Sequence, residues 1–301
     1  MVTAYPICSS SSSHLFQSKF LKLAKQRLDT LLVELELCAS RQVAQRLIRA
    51  GEVKVNQQII DKPGTEVETT ADIQIKERSP YVSRGGEKLA KALDVFGISV
   101  QGRICLDGGI STGGFTDCLL QAGAKLVYGI DVGYGQVAWS LRNNQRLILQ
   151  ERTNLRYLQP TDLYHNAQLA DLGVVDVSFI SLTKILEPLW NLLQPRRELV
   201  LLIKPQFEVG RDRVGKKGVV RDPNDQADAI AQVLQAAQTL GWAYKGLTWS
   251  PLTGPAGNIE YLLWLSMDSQ VQPPDLAAIK QITQLAVLHF RSEQKNTEVD
   301  M

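Results

Sequence analysis

RICLDGGISTGGFTDCLLQAGAKLVYGIDVG, from Arg103 to Gly133, reads as strand, glycine turn, helix and strand. A short apolar run, Ile104-Cys105-Leu106, ends in Asp107, and Gly108, Gly109, Gly113 and Gly114 follow it. Phe115 to Ala122 has helical spacing, with Gly123 as its stop. A second apolar run, Leu126 to Ile130, ends in Asp131. Strand, crossover helix and strand form one unit of a parallel sheet. Such a sheet binds ligands outside the carboxyl ends of its strands. Glycine there lets backbone N–H groups come close to a ligand, and Asp131 can accept two hydrogen bonds from a ribose.

The dinucleotide fingerprint G-x-G-x-x-G is absent, because neither Gly108 nor Gly109 starts that spacing. The spacing that fits is D-x-G-x-x-x-G, from Asp107 through Gly109 to Gly113. It resembles motif I of S-adenosyl-L-methionine (SAM) methyltransferases. The bland alternative is an α/β turn that binds nothing.

Composition sets outer bounds. A chain of 301 residues has room for two domains, and 44% hydrophobic residues suffice for a core. A net charge of +2 means that any affinity for nucleic acid must come from local basic patches. No apolar run is long enough to span a bilayer. Cys8, Cys38, Cys105 and Cys118 form no C-x-x-C pair, and His14, His165 and His289 are scattered, so no metal site is expected. A cytoplasmic protein is the simplest reading. The absence of a hydrophobic seam favours a monomer.

Residues 1–26 carry a serine run, several lysines and no acid. They read as a disordered extension, with an organelle transit peptide as the weaker alternative. Residues 27–77 read as a small domain. Leu28, Leu31, Leu32 and Leu35 recur at helical spacing, and Ser40 caps a second helix that runs to Ala50. Arg41, Gln42, Arg46 and Arg49 lie largely on its polar face. Val53-Lys54-Val55-Asn56, Ile59-Ile60 and Ile73-Gln74-Ile75 follow as short strands. Two helices, a basic face and this turn resemble the S4-type RNA-binding domain. The resemblance implies contacts from Arg27, Arg41, Gln42, Arg46, Arg49 and Lys54 that supply affinity but little sequence reading.

Residues 78–86 read as a linker, because Pro80 opposes helix. A helix follows from Glu87 to Phe96, with Lys88 in its first turn, a poor place for a cation on dipole grounds. Beyond the opening unit, a helix is expected over Val137 to Arg142. Strands are expected at Leu147–Leu149, Leu169–Val177 and Glu198–Lys204. Gln206 to Asp222 shows no periodicity and is basic, with Arg211, Arg213, Lys216 and Lys217. A helix over Asp225–Leu240 and strands at Trp242–Ser250 and Ile259–Leu265 complete the pattern. Residues 268–301 read as a polar tail with one helical segment.

The fold this predicts is α/β: a Rossmann-like methyltransferase sheet over residues 87–267, mostly parallel with its last strand antiparallel, behind a small α+β domain. Four charges would then meet at one edge. Lys88 precedes the first strand, Asp176 and Lys204 end the fourth and fifth, and Glu260 begins the last.

YVSRGGEKL, LDGGISTGGFTDCLLQAGA, DVGYGQVAWSLR, ERTN, VDVSFISL, IKPQFEVG and GNIEYLLWL occur in this order. On these segments the chain, from about Arg27 to Met267, resembles the TlyA (haemolysin A) family of ribosomal RNA 2′-O-methyltransferases, an S4-type domain fused to an FtsJ-like methyltransferase. The resemblance implies a Lys-Asp-Lys-Glu tetrad at Lys88, Asp176, Lys204 and Glu260. It implies a SAM site on Asp107, Gly109, Ser111, Thr112, Gly113, Gly114, Phe115, Asp131 and Asn154. It also implies methylation of cytidine in 16S or 23S rRNA, with Arg211, Arg213, Lys216 and Lys217 clamping the RNA. Lys204 would act on the hydroxyl as a base or by stabilising alkoxide, held with Lys88 by Asp176 and Glu260. The one departure, Ile110, would narrow the turn. The rival readings are a non-catalytic RNA-binding assembly protein, a membrane-active haemolysin and a nicotinamide-dependent oxidoreductase.

Overall fold

Short polar strands and amphipathic helices make up the first part of the chain. In the computed structural model, which describes residues 24–76, 79–165 and 167–299, the chain divides after residue 78 into two compact units. The expectation for residues 1–23 lies outside the described residues. The small unit starts before Arg27, with β1 (Lys25–Arg27), then α1 (Leu28–Glu34), α2 (Arg41–Arg49), β2 (Val53–Val55), β3 (Gln58–Ile59), β4 (Glu66–Glu68) and β5 (Ile73–Ile75). Ser40 Oγ accepts from the Val43 N–H and starts α2. Leu28, Leu32, Ala44, Ile48 and Val53 are wholly buried and form its core. β2 lies between β3 and β5, both antiparallel to it.

The pairing of β1 with β4 was not expected. Each strand carries charged residues around a single central position, so no apolar alternation marks it. What joins them is opposite charge: Lys25 faces Glu68 and Arg27 faces Glu66.

The large unit opens with α3 (Gly85–Phe96), two residues earlier than expected. β6 (Ile104–Gly108), α4 (Gly114–Gln121) and β7 (Leu126–Ile130) form the opening unit, followed by α5 (Trp139–Arg142) and β8 (Leu147–Gln150). Then come α6 (Pro160–Tyr164), β9 (Ala170–Val175), α7 (Leu186–Leu192), β10 (Leu193–Ile203), α8 (Pro205–Glu208) and α9 (Pro223–Thr239). The chain closes with β11 (Ala243–Trp249), β12 (Tyr261–Ser266) and α10 (Leu276–Val299).

The seven strands lie in the order β11-β12-β10-β9-β6-β7-β8. β12 runs antiparallel to both its neighbours, while β8, β7, β6, β9 and β10 are parallel. Both faces are covered. Leu199, Leu201 and Ile203 of β10 enter a core shared with α7 and α9, and Val200 and Leu202 enter one shared with α3 and α4. From β6 the chain builds outward to β7 on one side and returns to β9 on the other, so a crevice opens at the carboxyl ends of β6 and β9.

Several boundaries differ from expectation. β10 begins at Leu193, ahead of a register shift before Glu198. α6 and α7 are too short to show clear periodicity. The stretch 206–222 is partly ordered by α8 and two 3₁₀ turns, Arg211–Arg213 and Lys216–Gly218. The residues after 268 do not form a loose tail: Ile279 and Ala286 of α10 are buried in the main core. Among the described residues no helix is long and apolar enough to cross a membrane, and no cluster of His, Cys, Asp or Glu could hold a metal ion.

Candidate active site

The glycine turn hangs from β7. Gly109 and Ile110 both donate backbone N–H groups to the Ile130 carbonyl. Gly109 has φ +87°, and a Cβ there would lie 2.5 Å from the Asp176 carbonyl oxygen. The turn is therefore seated against the end of β9, and only glycine fits. Asp131 is oriented by two backbone donors, Ser111 N–H to Oδ2 at 2.8 Å and Gly133 N–H to Oδ1 at 2.7 Å. Gly109, Ser111, Asp131, Gln136, Thr153 and Asn154 line a cavity of about 510 Å³. Asn154 also caps a 3₁₀ turn by accepting from the Arg156 N–H. Thr112, Gly114 and Phe115 line an adjoining cavity of about 430 Å³ with Ser83, Arg84, Lys88 and Asp176.

Three residues of the turn bear on the sequence expectations. Ile110 is 3% exposed and packs against Gly129, while still contributing to the wall of the cavity of about 430 Å³. Asp107 does not line either cavity. It is wholly buried, with Oδ2 accepting from Thr116 Oγ at 2.7 Å and Oδ1 without a partner. Gly113, too, lies off the cavity walls and instead starts α4 at φ +98°.

Burial pushes the Asp107 carboxyl up from 3.8 to about 7, with Asp176 and Asp131 adding to the rise and Thr116 opposing it. An acid raised on folding binds its proton more tightly in the native state. Its contribution to stability is therefore full below about pH 4 and is lost as the pH rises through about 7. Asp107→Asn should remove that component, up to about 4 kcal/mol, from the pH dependence of unfolding between those limits. Denaturant titrations of both proteins across pH 4 to 8 measure it, and identical slopes would refute the assignment.

The four charges stand at the same edge of the sheet. Lys88 Nζ, from the first turn of α3, lies 2.6 Å from Glu260 Oε2, just before β12. Lys204 Nζ, after β10, lies 2.6 Å from Asp176 Oδ1, after β9, and donates to Ser178 Oγ at 2.9 Å. The Lys204–Asp176 contact is an ion pair off the hydrogen-bond direction, so Asp176 Oδ1 keeps no aligned donor. Glu260 is 1% exposed. Burial raises its carboxyl, and the ammonium groups of Lys88 and Lys204 oppose the rise. Lys204 and Glu260 line a third cavity, of about 390 Å³, with Phe179, Phe207 and Lys217.

The sequence reading missed the residues that hold this edge together. Phe179 sits at φ +65°, is 91% exposed, and lies 5.3 Å from the Phe207 ring. Only the serines on either side hinted at a surface turn. Glu208 is buried and accepts from Ser181 Oγ at 2.6 Å and Leu182 N–H at 2.9 Å, which ties α8 to the segment after Asp176. Burial raises its carboxyl. Buried Asn258 accepts from the Val220 N–H and donates to the Gly218 carbonyl, which latches the basic stretch onto the loop before β12.

The basic residues divide into anchored and exposed groups. Arg27 and Arg41 both donate to buried Asp29, whose carboxyl the Arg27 hydrogen bonds hold far below the usual carboxylate range. Gln42, Arg46, Arg49 and Lys54 are exposed. In the large unit Arg213 pairs with Asp225 and Asp228 at the start of α9. Arg211, Lys216 and Lys217 are exposed, and Lys217 takes φ +68° at the third cavity.

Comparison with known proteins agrees with both units. The FtsJ-like methyltransferase profile matches residues 81–267, and the S4 domain profile matches residues 26–73. The 16S/23S rRNA (cytidine-2′-O)-methyltransferase TlyA of Mycobacterium tuberculosis is 48% identical over 244 residues, 80% of this chain and 90% of that one. Hemolysin A of Brachyspira hyodysenteriae is 41% identical over 78% of this chain and 98% of its own length. A solved structure from Streptococcus thermophilus that carries the hemolysin name matches with a TM-score of 0.70 and 40% identity, over 91% of this chain and 99% of that one.

Proposed function

This chain belongs to the FtsJ-like methyltransferases, in the family of TlyA, and from that premise we propose that it methylates the ribose 2′-hydroxyl of cytidine in 16S or 23S ribosomal RNA, with SAM as donor. The observation that carries the reading is the pair of amine–carboxylate contacts at the edge of the glycine crevice, Lys88 with Glu260 and Lys204 with Asp176.

The crevice fits the donor. Its largest cavity, about 510 Å³, is within the ordinary range for a cofactor. A carboxylate already oriented by backbone N–H groups, Asp131, suits a ribose diol. Gly109, Ser111, Asp131 and Asn154 are the residues proposed to hold it; Asp107 acts from beneath, through the turn. When bound, the sulfonium supplies an activated methyl group. The protein's own task is then to orient a weakly acidic alcohol and deal with its proton. Lys204 Nζ takes that proton when neutral, or stabilises the developing oxyanion when charged. Asp176 and Ser178 fix its position, and Glu260 fixes Lys88. Phe179 presents an exposed ring beside this edge, suited to stack on a base splayed from its helix.

The proposed role of the small unit is RNA docking. Arg46 and Arg49 project from α2 opposite the buried Ala44 and Ile48. Arg46→Glu with Arg49→Glu should weaken binding of ribosomal RNA by roughly 10-fold or more at moderate salt and leave SAM affinity unchanged. Filter binding and calorimetry read the two effects, and unchanged RNA affinity would remove this unit from the interface.

The reading as a whole is tested by transfer of labelled methyl from SAM to unmodified ribosomal subunits, with the product mapped by nucleotide. Label in a cytidine 2′-O-methyl group is the expected result. RNA binding without transfer would favour an assembly protein instead.

A further inference from the structure

We propose that Arg221 and Arg291 form a phosphodiester-binding site beside the catalytic crevice, so that α10 belongs to the RNA interface. The inference rests on the reading of an RNA substrate given above. Both guanidinium residues line one cavity of about 160 Å³, between the loop after the second 3₁₀ turn and the distal half of α10. Its floor is apolar, with Ile259, Val287 and Phe290. That volume is below the ~300 Å³ at which small-molecule pockets begin, but a phosphate group with a few waters fits it.

Charge selects the ligand. Among the described residues neither the Arg221 nor the Arg291 side chain makes an ion pair or hydrogen bond. Three other arginines of this unit are neutralised: Arg103 by Asp171 and Glu198, Arg142 by Glu151, and Arg213 by Asp225 and Asp228. Asp222, the acid adjacent to Arg221, is occupied in capping α9 through the Asn224 N–H. Two uncompensated cations facing one small cavity repel each other unless an anion lies between them, and a phosphate oxygen pair matches a guanidinium fork.

Position selects the source of the phosphate. Thr253 lines this cavity and also the crevice that holds Lys88 and Asp176. The Arg221 side of the cavity is fixed, since Gln226 Nε2 donates to the Val220 carbonyl and Asn258 Oδ1 accepts from the Val220 N–H. A strand whose ribose reaches Lys204 would thus run its neighbouring backbone past Thr253 to these arginines.

The test uses full-length protein carrying Arg221→Ala, Arg291→Ala or both, with Arg291→Lys as the conservative variant. Binding of protein-free ribosomal RNA is measured against salt, alongside SAM affinity and methyl transfer. Each alanine should lower RNA affinity roughly 10-fold and reduce the slope of log affinity against log salt by about 1. Arg291→Lys should keep the slope, and SAM affinity should not move. Unchanged RNA affinity and slope in the double variant would overturn the site. A defect seen with ribosomal subunits but not with protein-free RNA would also overturn it, and would assign the cavity to an acidic protein segment. If the wild type binds RNA through these arginines yet transfers no methyl group, the catalytic reading fails and this site stands.

Discussion

Lys204→Ala should lower methyl transfer by roughly 100- to 10,000-fold, the range for loss of an acid–base group, while the protein still folds and binds SAM. The structure explains why this position is the clean one to remove. Lys204 Nζ touches Asp176, whose side chain is 22% exposed, so this carboxylate borders solvent even though its Oδ1 does not. Lys88 is different. Its partner Glu260 is 2% exposed in its side chain, and deleting Lys88 would strand a buried carboxylate. Removing one member of a buried pair costs about 3–5 kcal/mol, so Lys88→Ala confounds catalysis with stability. Single-turnover transfer from labelled SAM, with circular dichroism and cofactor titration on the same sample, separates the two for Lys204. A folded Lys204→Ala protein with the wild-type rate would remove Lys204 from the chemistry.

The fold was legible wherever one physical signal dominated. β6, α4 and β7 were readable because an apolar run, a glycine turn and helical spacing occur together between Ile104 and Ile130. β10 was readable because strands covered on both faces lack polar alternation, as Leu199 to Ile203 do. β1 and β4 were not, since cross-strand charge pairs leave no hydrophobic trace. At the site, charges that end apolar strands could be picked out. Which amine meets which acid could not, because Lys88 and Glu260 are 172 positions apart and only the reversed strand β12 brings them together. The placement of Asp107 was hidden for a related reason. An acid after an apolar run has the same pattern whether it lines a cavity, as Asp131 does, or turns under the loop to Thr116. Phe179 and Glu208 inverted the usual correlation, an exposed aromatic and a buried acid, and hydropathy reads such residues backwards.

Gly109→Ala should weaken SAM binding on the order of 100-fold or more and slow transfer in parallel. Two costs combine. An L-residue held at φ +87° is strained by about 1–2 kcal/mol. The added Cβ also meets the Asp176 carbonyl oxygen at 2.5 Å and its carbon at 3.0 Å, backbone atoms that cannot rotate away. Overpacking of this kind costs about 1–3 kcal/mol. The turn cannot retreat, because Gly109 and Ile110 are both bonded to the Ile130 carbonyl. Relief must come from moving the end of β9, which carries Asp176 and, through it, Lys204. One methyl group therefore disturbs the proposed cofactor crevice and the proposed catalytic edge at once, at about 1.4 kcal/mol for each tenfold change in affinity. Gly97→Ala is the control: its φ is +65°, at the end of α3, but nothing lies within 4 Å of the new Cβ. It should show strain alone, as a modest fall in melting temperature with SAM affinity intact. Equal SAM affinity in the Gly109→Ala and wild-type proteins would mean that the turn does not bear on the cofactor.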